Sequence, residues 1–223
     1  MITLACLDMA GTTVADGGAV ESSFIDAMVR SGVAEEGEQM RTALDFVRES
    51  MGQSKIAVFR HLFAGNEMRA ARANDAFEAA YARAVDDGGV GPMPGATGVF
   101  AELREMGVKV CLTTGFAPPT RDRIIDALRW HTLVDLALSP ADAGRGRPSP
   151  DMILTAVLRL EVEAVDDVAV AGDTVSDLLS GTRAGAGVVA GVLTGAHDRS
   201  HLEAAPHTHI IDSIADLPAI LRG

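Results

Sequence analysis

The chain is 223 residues long with 48% hydrophobic and 22% charged side chains, a balance that fits one large domain, or a core with a smaller insert, and excludes the polar, high-charge composition of disorder. Its 19 Lys and Arg against 31 Asp and Glu give a formal charge of −12, a field that repels nucleic acid and anionic membranes, so an anionic substrate needs local cations or a metal to hold it. Aromatics are only 4% of the residues, which leaves Leu, Val, Ala and Met to fill the interior.

Ile2 to Leu7 is an apolar run that ends at Asp8, and it reads as a buried strand. Helical spacing follows at Val20, Phe24, Ala27 and Met28, at Met40, Leu44, Val47 and Met51, at Ile56, Phe59, Leu62 and Phe63, and at Phe77, Ala80, Tyr81 and Ala84. This stretch has no alternating strand pattern and is far longer than a crossover helix requires, so it predicts an inserted helical bundle. The segments Ala15-Asp16-Gly17-Gly18 and Gly88 to Gly95 flank it and read as the hinges of a mobile cap. Beyond them, a helix with Val99, Phe100, Leu103 and Met106 leads to a strand at Val108 to Leu112. A helix with Ile124, Ile125 and Leu128 then leads to a strand at Leu133 to Leu138. Ser149 and Pro150, as N-cap and first helical residue, open a helix with Ile153, Leu154, Val157 and Leu158. A strand at Val168 to Ala171, a helix at Ser176 to Ala184, a strand at Val188 to Leu193 and a helix at Ile214 to Leu221 complete the chain. Strands alternating with helices predict a doubly wound parallel α/β sheet. The expected division is a core of residues 1–14 and 97–223 and a helical cap of 15–96.

Cys6 and Cys111 each fall within an apolar run, which favours reduced core thiols over a disulfide. The N-terminal segment lacks a basic lead, and no apolar run is long enough to span a bilayer, so a cytoplasmic location is expected.

Four segments fall where strands of such a sheet end, and ligands of open α/β sheets bind at those ends. The first is Asp8-Met9-Ala10-Gly11-Thr12-Thr13, where a carboxylate leaves a buried strand beside exposed amides and can attack phosphorus or simply cap the turn. In Thr113-Thr114-Gly115, Thr114 offers a hydroxyl and Gly115 an amide to a phosphoryl oxygen. Arg147, in Gly146-Arg147-Pro148, is a planar cation suited to phosphate or to a carboxylate. Asp173 and Asp177, four apart at a strand-to-helix junction, can turn hard oxygens to one crevice as Mg²⁺ prefers, or can cap the helix.

Together and in this order, the four segments resemble the motifs of the haloacid dehalogenase superfamily, and the helical insert resembles its C1-type cap. The resemblance implies a Rossmann-like core with Asp8 as the phosphorylated nucleophile, Thr114 and the Ala10-Gly11-Thr12 and Gly115 backbone at the phosphate, and Arg147 as its cation. It also implies Mg²⁺ held by Asp8, the Ala10 carbonyl and Asp173 or Asp177. Phosphomonoesterases of the superfamily carry a proton-donating aspartate where this chain has Ala10; phosphonoacetaldehyde hydrolases carry alanine there, within Asp-x-Ala-Gly-Thr-Thr. They also carry a cap lysine that forms an imine (Schiff base), and Met51-Gly52-Gln53-Ser54-Lys55 matches its position. Gly52 and Phe116 would then line the substrate site. Two positions depart from that branch: Val58 stands where it has a histidine, and Phe116 where it has an aromatic hydroxyl. His61, one turn beyond Val58, is either a partial substitute or a surface side chain.

The function expected is hydrolysis of the carbon–phosphorus bond of a small phosphonate aldehyde. The alternative is a phosphatase of small esters such as phosphoglycolate, with Lys55 as a binding cation only. His197, His201, His207 and His209 match no zinc spacing and read as a polar surface loop. No nucleic-acid or membrane partner is expected, and the apolar face of the first cap helices, including Phe24 and Met28, is the candidate surface for a homodimer.

Overall fold

A computed structural model describes residues 1–32 and 37–223. Strand β1 (Leu4–Asp8) runs into a turn and the two-residue strand β2 (Val14–Ala15), after which the helices α1 (Ala19–Ser31), α2 (Glu38–Glu49), α3 (Lys55–Leu62) and α4 (Glu67–Asp86) form the insert. The chain returns through β3 (Gly91–Pro92), α5 (Ala96–Glu105), β4 (Lys109–Thr113), α6 (Pro118–Leu128), β5 (Leu136–Leu138), α7 (Pro140–Ala143) and α8 (Asp151–Arg159). It ends with β6 (Val168–Gly172), α9 (Val175–Ala184), β7 (Val188–Val192), α10 (Arg199–Glu203), β8 (His209–Ile211) and α11 (Leu217–Arg222).

Six strands form one sheet in the order β5-β4-β1-β6-β7-β8, with every pairing parallel. Both faces of β1 are buried, as a parallel sheet requires. Ala5 and Leu7 join one apolar cluster with Val99, Phe100 and Ile124, whereas Leu4 and Cys6 join another with Met152, Ile153 and Ala156. Helices α5 and α6 thus cover one face and α8 the other, which is the doubly wound arrangement. Cys6 pairs in register with Cys111, and both are buried free thiols. Burial and the adjacent Cys6 push the Cys111 thiol well up, so it is inert at neutral pH. No helix among the described residues is long and apolar enough to cross a membrane.

Several elements differ from expectation. The strand expected from Leu133 starts only at Leu136, because Leu133 and Val134 sit in a turn hydrogen-bonded back to Trp130. Strand β8 was not expected: it has three residues, one of them a histidine, too few to show a pattern. Helix α8 begins at Asp151 with Pro150 as its N-cap, one residue later than the Ser-Pro reading, and the Ser149 hydroxyl donates to Asp151. The C-terminal helix is split into a 3₁₀ turn (Ile214–Asp216) and α11. Met51 lies beyond the end of α2. The segments read as hinges are partly ordered by pairing, since β2 and β3 form an antiparallel ribbon.

The interior of the insert is aromatic, unlike that of the sheet. Phe24 lies 4.6 Å from Phe77 and 5.2 Å from Phe59 between ring centroids, and all three are buried. Phe24 and Met28 therefore belong to the core of the insert and offer no surface for a partner. On α4 the buried positions repeat every four residues, Ala73, Phe77, Tyr81 and Val85, so Ala80 and Ala84 lie off the packed stripe.

Candidate active site

Strand β1 lies between β4 and β6, so their carboxyl ends deliver Asp8, Thr113 and Gly172 side by side. Thr114 and Asp173 follow directly. A cavity of about 530 Å³ opens there, between the strand ends and the insert. It is lined by Asp8, Ala10, Gly11, Thr114, Gly115, Phe116, Arg147 and Asp173 from the sheet side and by Gly52 and Lys55 from the insert. Of the residues singled out from the sequence, Thr12 and Asp177 stand behind the wall. The Thr12 hydroxyl donates to Asp173 at 3.3 Å.

Close backbone approach explains the glycines. A β-carbon on Gly11, whose φ is +88°, would lie 2.5 Å from the Asp173 carboxylate. One on Gly52, φ +83°, would lie 2.2 Å from the Thr174 hydroxyl, and one on Gly115 would lie 2.4 Å from the Gln53 carbonyl. The insert thus touches the strand-end loops through backbone, and Lys55 N–H donates to the Gly115 carbonyl at 3.4 Å.

Arg147, 5% exposed, ties the acidic residues together. Its Nη1 donates to Asp8 at 2.6 Å and also to Asp177, while its Nε has no protein partner. Burial works against the guanidinium charge, but Asp177 and Asp8 outweigh it and hold its pKa above the ordinary value. Asp8 is pushed well up by burial, with Asp177 and Asp173 adding to the effect and Arg147 opposing it. Burial, then Asp177, pushes Asp173 up to about 6. Asp177 is saturated by other bonds: it accepts from Thr174 N–H at 3.1 Å and from the Thr174 hydroxyl in a capping box at the start of α9. Asp173 faces the cavity, and among the described residues only Ala196 N–H, at 2.7 Å, and the Thr12 hydroxyl bond its side chain.

Carboxylate oxygens of Asp8, Asp173 and Asp177 lie within 4.8 Å of one another, a buried acidic group that could hold a metal ion. Three carboxylates against one guanidinium leave negative charge to be neutralised, and hard oxygen donors suit a small divalent cation.

Lys55, 6% exposed, opens α3, and its Nζ sits 4.9 Å from the Phe116 ring centroid and 5.8 Å from those of Phe24 and Phe77. Burial, then the charge of Arg147, lowers its pKa, with Asp8, Glu78 and Asp16 pulling the other way. A buried amine, less basic than an ordinary lysine, therefore faces the cavity that also holds Asp8. Val58 packs in the core of the insert, and His61 is exposed, stacked 3.9 Å from Phe46 in a separate surface groove. His61 thus stands as a surface side chain and brings nothing to the cavity.

Other lining residues escaped the sequence reading. Asp16 also lines the cavity and accepts from Gly18 and Val20 N–H at 3.1 and 3.0 Å, capping α1. Arg48 and Glu21 pair at 2.7 Å at the rim. The Thr194 hydroxyl donates to the Gly11 carbonyl at 2.7 Å; Thr194 follows closely on β7, so the apolar run ending there was its signal. His197 corrects an expectation: it is buried and accepts from Val175 N–H at 3.0 Å. His201, His207 and His209 are exposed, though His201 lies in α10 and His209 in β8.

The parallel sheet gathers buried aspartates and an arginine beside its strand ends, and the insert sets a buried lysine across the same cavity. Residues 2–185 match the model of the haloacid dehalogenase-like hydrolases, and the chain belongs to that family. Among curated relatives, phosphonoacetaldehyde hydrolase of Parabacteroides distasonis is 29% identical over 157 residues, 59% of this chain and 58% of that protein. The matched stretch thus spans a little over half the length of that relative. The enzyme of the same name from Bacteroides fragilis is 27% identical over 97% of this chain and 94% of its own. Among solved structures, a phosphonoacetaldehyde hydrolase-like protein from Oleispira antarctica superposes with a TM-score of 0.85 at 26% identity, covering 99% of this chain and 91% of that one.

Proposed function

We infer that the protein is a Mg²⁺-dependent hydrolase that cleaves the carbon–phosphorus bond of a small phosphonate aldehyde such as phosphonoacetaldehyde. The observation that carries this reading is the pairing of a buried Lys55 with Asp8 across one cavity, where position 10 is alanine. An alkoxide leaving group calls for an acid near Asp8, and Ala10 offers none. A carbon leaving group calls for an electron sink, and a lysine imine is one.

In this reading Lys55 condenses with the aldehyde, expelling water and leaving a protonated imine. The Asp8 carboxylate attacks phosphorus from the opposite side. As the bond to carbon breaks, its electron pair moves into the imine to give an enamine, and the phosphoryl group passes to Asp8. Thr114 and the amides around Gly11 and Gly115 face the phosphoryl oxygens, and Arg147 balances their charge while orienting Asp8. Water then cleaves the aspartyl phosphate, and hydrolysis of the enamine returns the Lys55 amine. A bound Mg²⁺ would be held by Asp8, the Ala10 carbonyl and Asp173 and would supply further positive charge at the phosphoryl oxygens. Asp177, committed to Thr174 and Arg147, would position the others. In this reading the four-helix insert acts as the cap, supported by the close backbone approach of its Gly52-Gln53 turn and Lys55 N–H to Thr174 and Gly115.

The experiment is phosphate release by the Mg²⁺-loaded protein from phosphonoacetaldehyde and from phosphoglycolate. Turnover of the phosphonate at a kcat/KM at least about a hundredfold above the ester is expected. The opposite preference would move the protein to the phosphatases.

A further inference from the structure

Among the described residues three buried side-chain polar atoms have no partner: Arg147 Nε, Glu78 Oε2 and the Tyr81 hydroxyl. Native structures rarely leave such atoms unsatisfied, because burying a polar group without a partner forfeits its hydrogen bonds to water. Arg147 belongs to the site already described. The other two lie three apart on α4 and so share a face. That face meets Lys55. Phe77, just before Glu78, holds its ring 5.8 Å from Lys55 Nζ, and Tyr81 stacks 4.4 Å from Phe116, whose ring lies 4.9 Å from the same nitrogen. Glu78 also reaches the residue after Phe116, with Oε1 accepting from Ala117 N–H at 3.1 Å.

The charged groups whose fields bear on Lys55 are Arg147, Asp8, Glu78 and Asp16. Asp8 is bound to Arg147 and is needed as the nucleophile, and both oxygens of Asp16 are taken by amides of the α1 cap. Glu78 alone among the three carboxylates keeps a buried oxygen with nothing bonded to it.

We propose that Glu78 is a positioning residue for the reaction: its carboxylate is the counter-charge that keeps the imine nitrogen on Lys55 protonated. The proposal rests on the imine reading above. An imine is a weaker base than the amine it replaces, and three aromatic walls with a guanidinium nearby favour its neutral form. Neutral, it cannot accept the electron pair released when carbon and phosphorus part. A carboxylate behind the aromatic cage offsets this through a weakly screened field. As pH rises, the imine loses its proton and turnover falls.

The test compares the wild type with Glu78→Gln, which keeps Oε1 as acceptor for Ala117 and removes only the charge. With phosphonoacetaldehyde and Mg²⁺, the basic limb of the kcat profile should move to lower pH by about one unit, equivalent to a tenfold loss of kcat on that limb. KM should stay within about threefold, since a residue that acts on the bond-breaking step alone changes kcat. Glu78→Asp keeps the charge while loosening the Ala117 bond, so its limb should stay at the wild-type pH even where kcat drops. A Glu78→Gln enzyme with the wild-type limb, or a Glu78→Asp enzyme displaced as far as the glutamine variant, would overturn the proposal. Borohydride trapping on wild-type Lys55 separates the two levels. Without an adduct in the wild type the imine reading itself fails; with an adduct and an unmoved limb, only the role of Glu78 fails.

Discussion

The two walls of the cavity are built in opposite ways. On the sheet side Asp8 and Asp173 at strand ends, Arg147 from the loop before α8 and Asp177 from the first turn of α9 are buried in a mesh of ion pairs and backbone bonds. On the insert side Arg48 is paired with Glu21 at the rim, whereas Lys55 stands among three phenylalanine rings with no ion pair among the described residues. The first wall is dense with charge and holds a charged group still. The second strips an amine of water and lowers its basicity. Under the proposed function, the contrast divides chemistry at phosphorus and chemistry at carbon between the two parts of the chain, and each prediction strikes one side.

The largest effect belongs to the sheet side. Asp8→Asn should lower turnover by about 10⁴-fold or more, because no other carboxylate there is free to take the phosphoryl group, while circular dichroism shows the fold retained. Next comes the insert side. Lys55→Arg keeps the charge but cannot form an imine, so phosphonate turnover should fall by roughly 10³-fold; retained turnover would erase the division between the walls. A smaller effect tests how the walls meet. Gly52→Ala forces a left-handed backbone on alanine and puts a methyl group on Thr174, so kcat/KM should drop by about 10- to 100-fold through poorer closure.

The smallest effect is on stability and concerns the charge mesh. The folded pKa of Asp173, about 6, lies above its ordinary 3.8. Its stabilising contribution is therefore complete below the ordinary value and is lost as pH rises through about 6. Mg²⁺ competes with that proton for the carboxylate. It should raise Tm by about 3 °C near neutral pH in a thermal melt, and by much less below about pH 5; an equal rise at both would contradict the assignment of Asp173 as a ligand.

The difference between the walls also governs what the sequence makes legible. Asp8, Thr114 and Asp173 each follow an apolar run, so strand periodicity located them, and the order of the four segments placed Arg147. Lys55 came from a resemblance, since a lysine beginning a helix carries no periodic signal. Glu78 and Tyr81 were not visible as site residues because α4 reads as an ordinary amphipathic helix on which a glutamate is expected in water. Their role depends on Phe116 and Ala117, nearly forty residues away along the chain, folding against that helix. His197 escaped for the same reason: its partner, the Val175 N–H, lies at the start of another helix.

The most direct test of the central claim is mass spectrometry of Lys55 after the Mg²⁺-loaded protein is incubated with phosphonoacetaldehyde and borohydride. The account predicts a reduced adduct on the peptide that carries Lys55, dependent on both reagents. An unmodified Lys55 in protein that still releases phosphate from the phosphonate would contradict it.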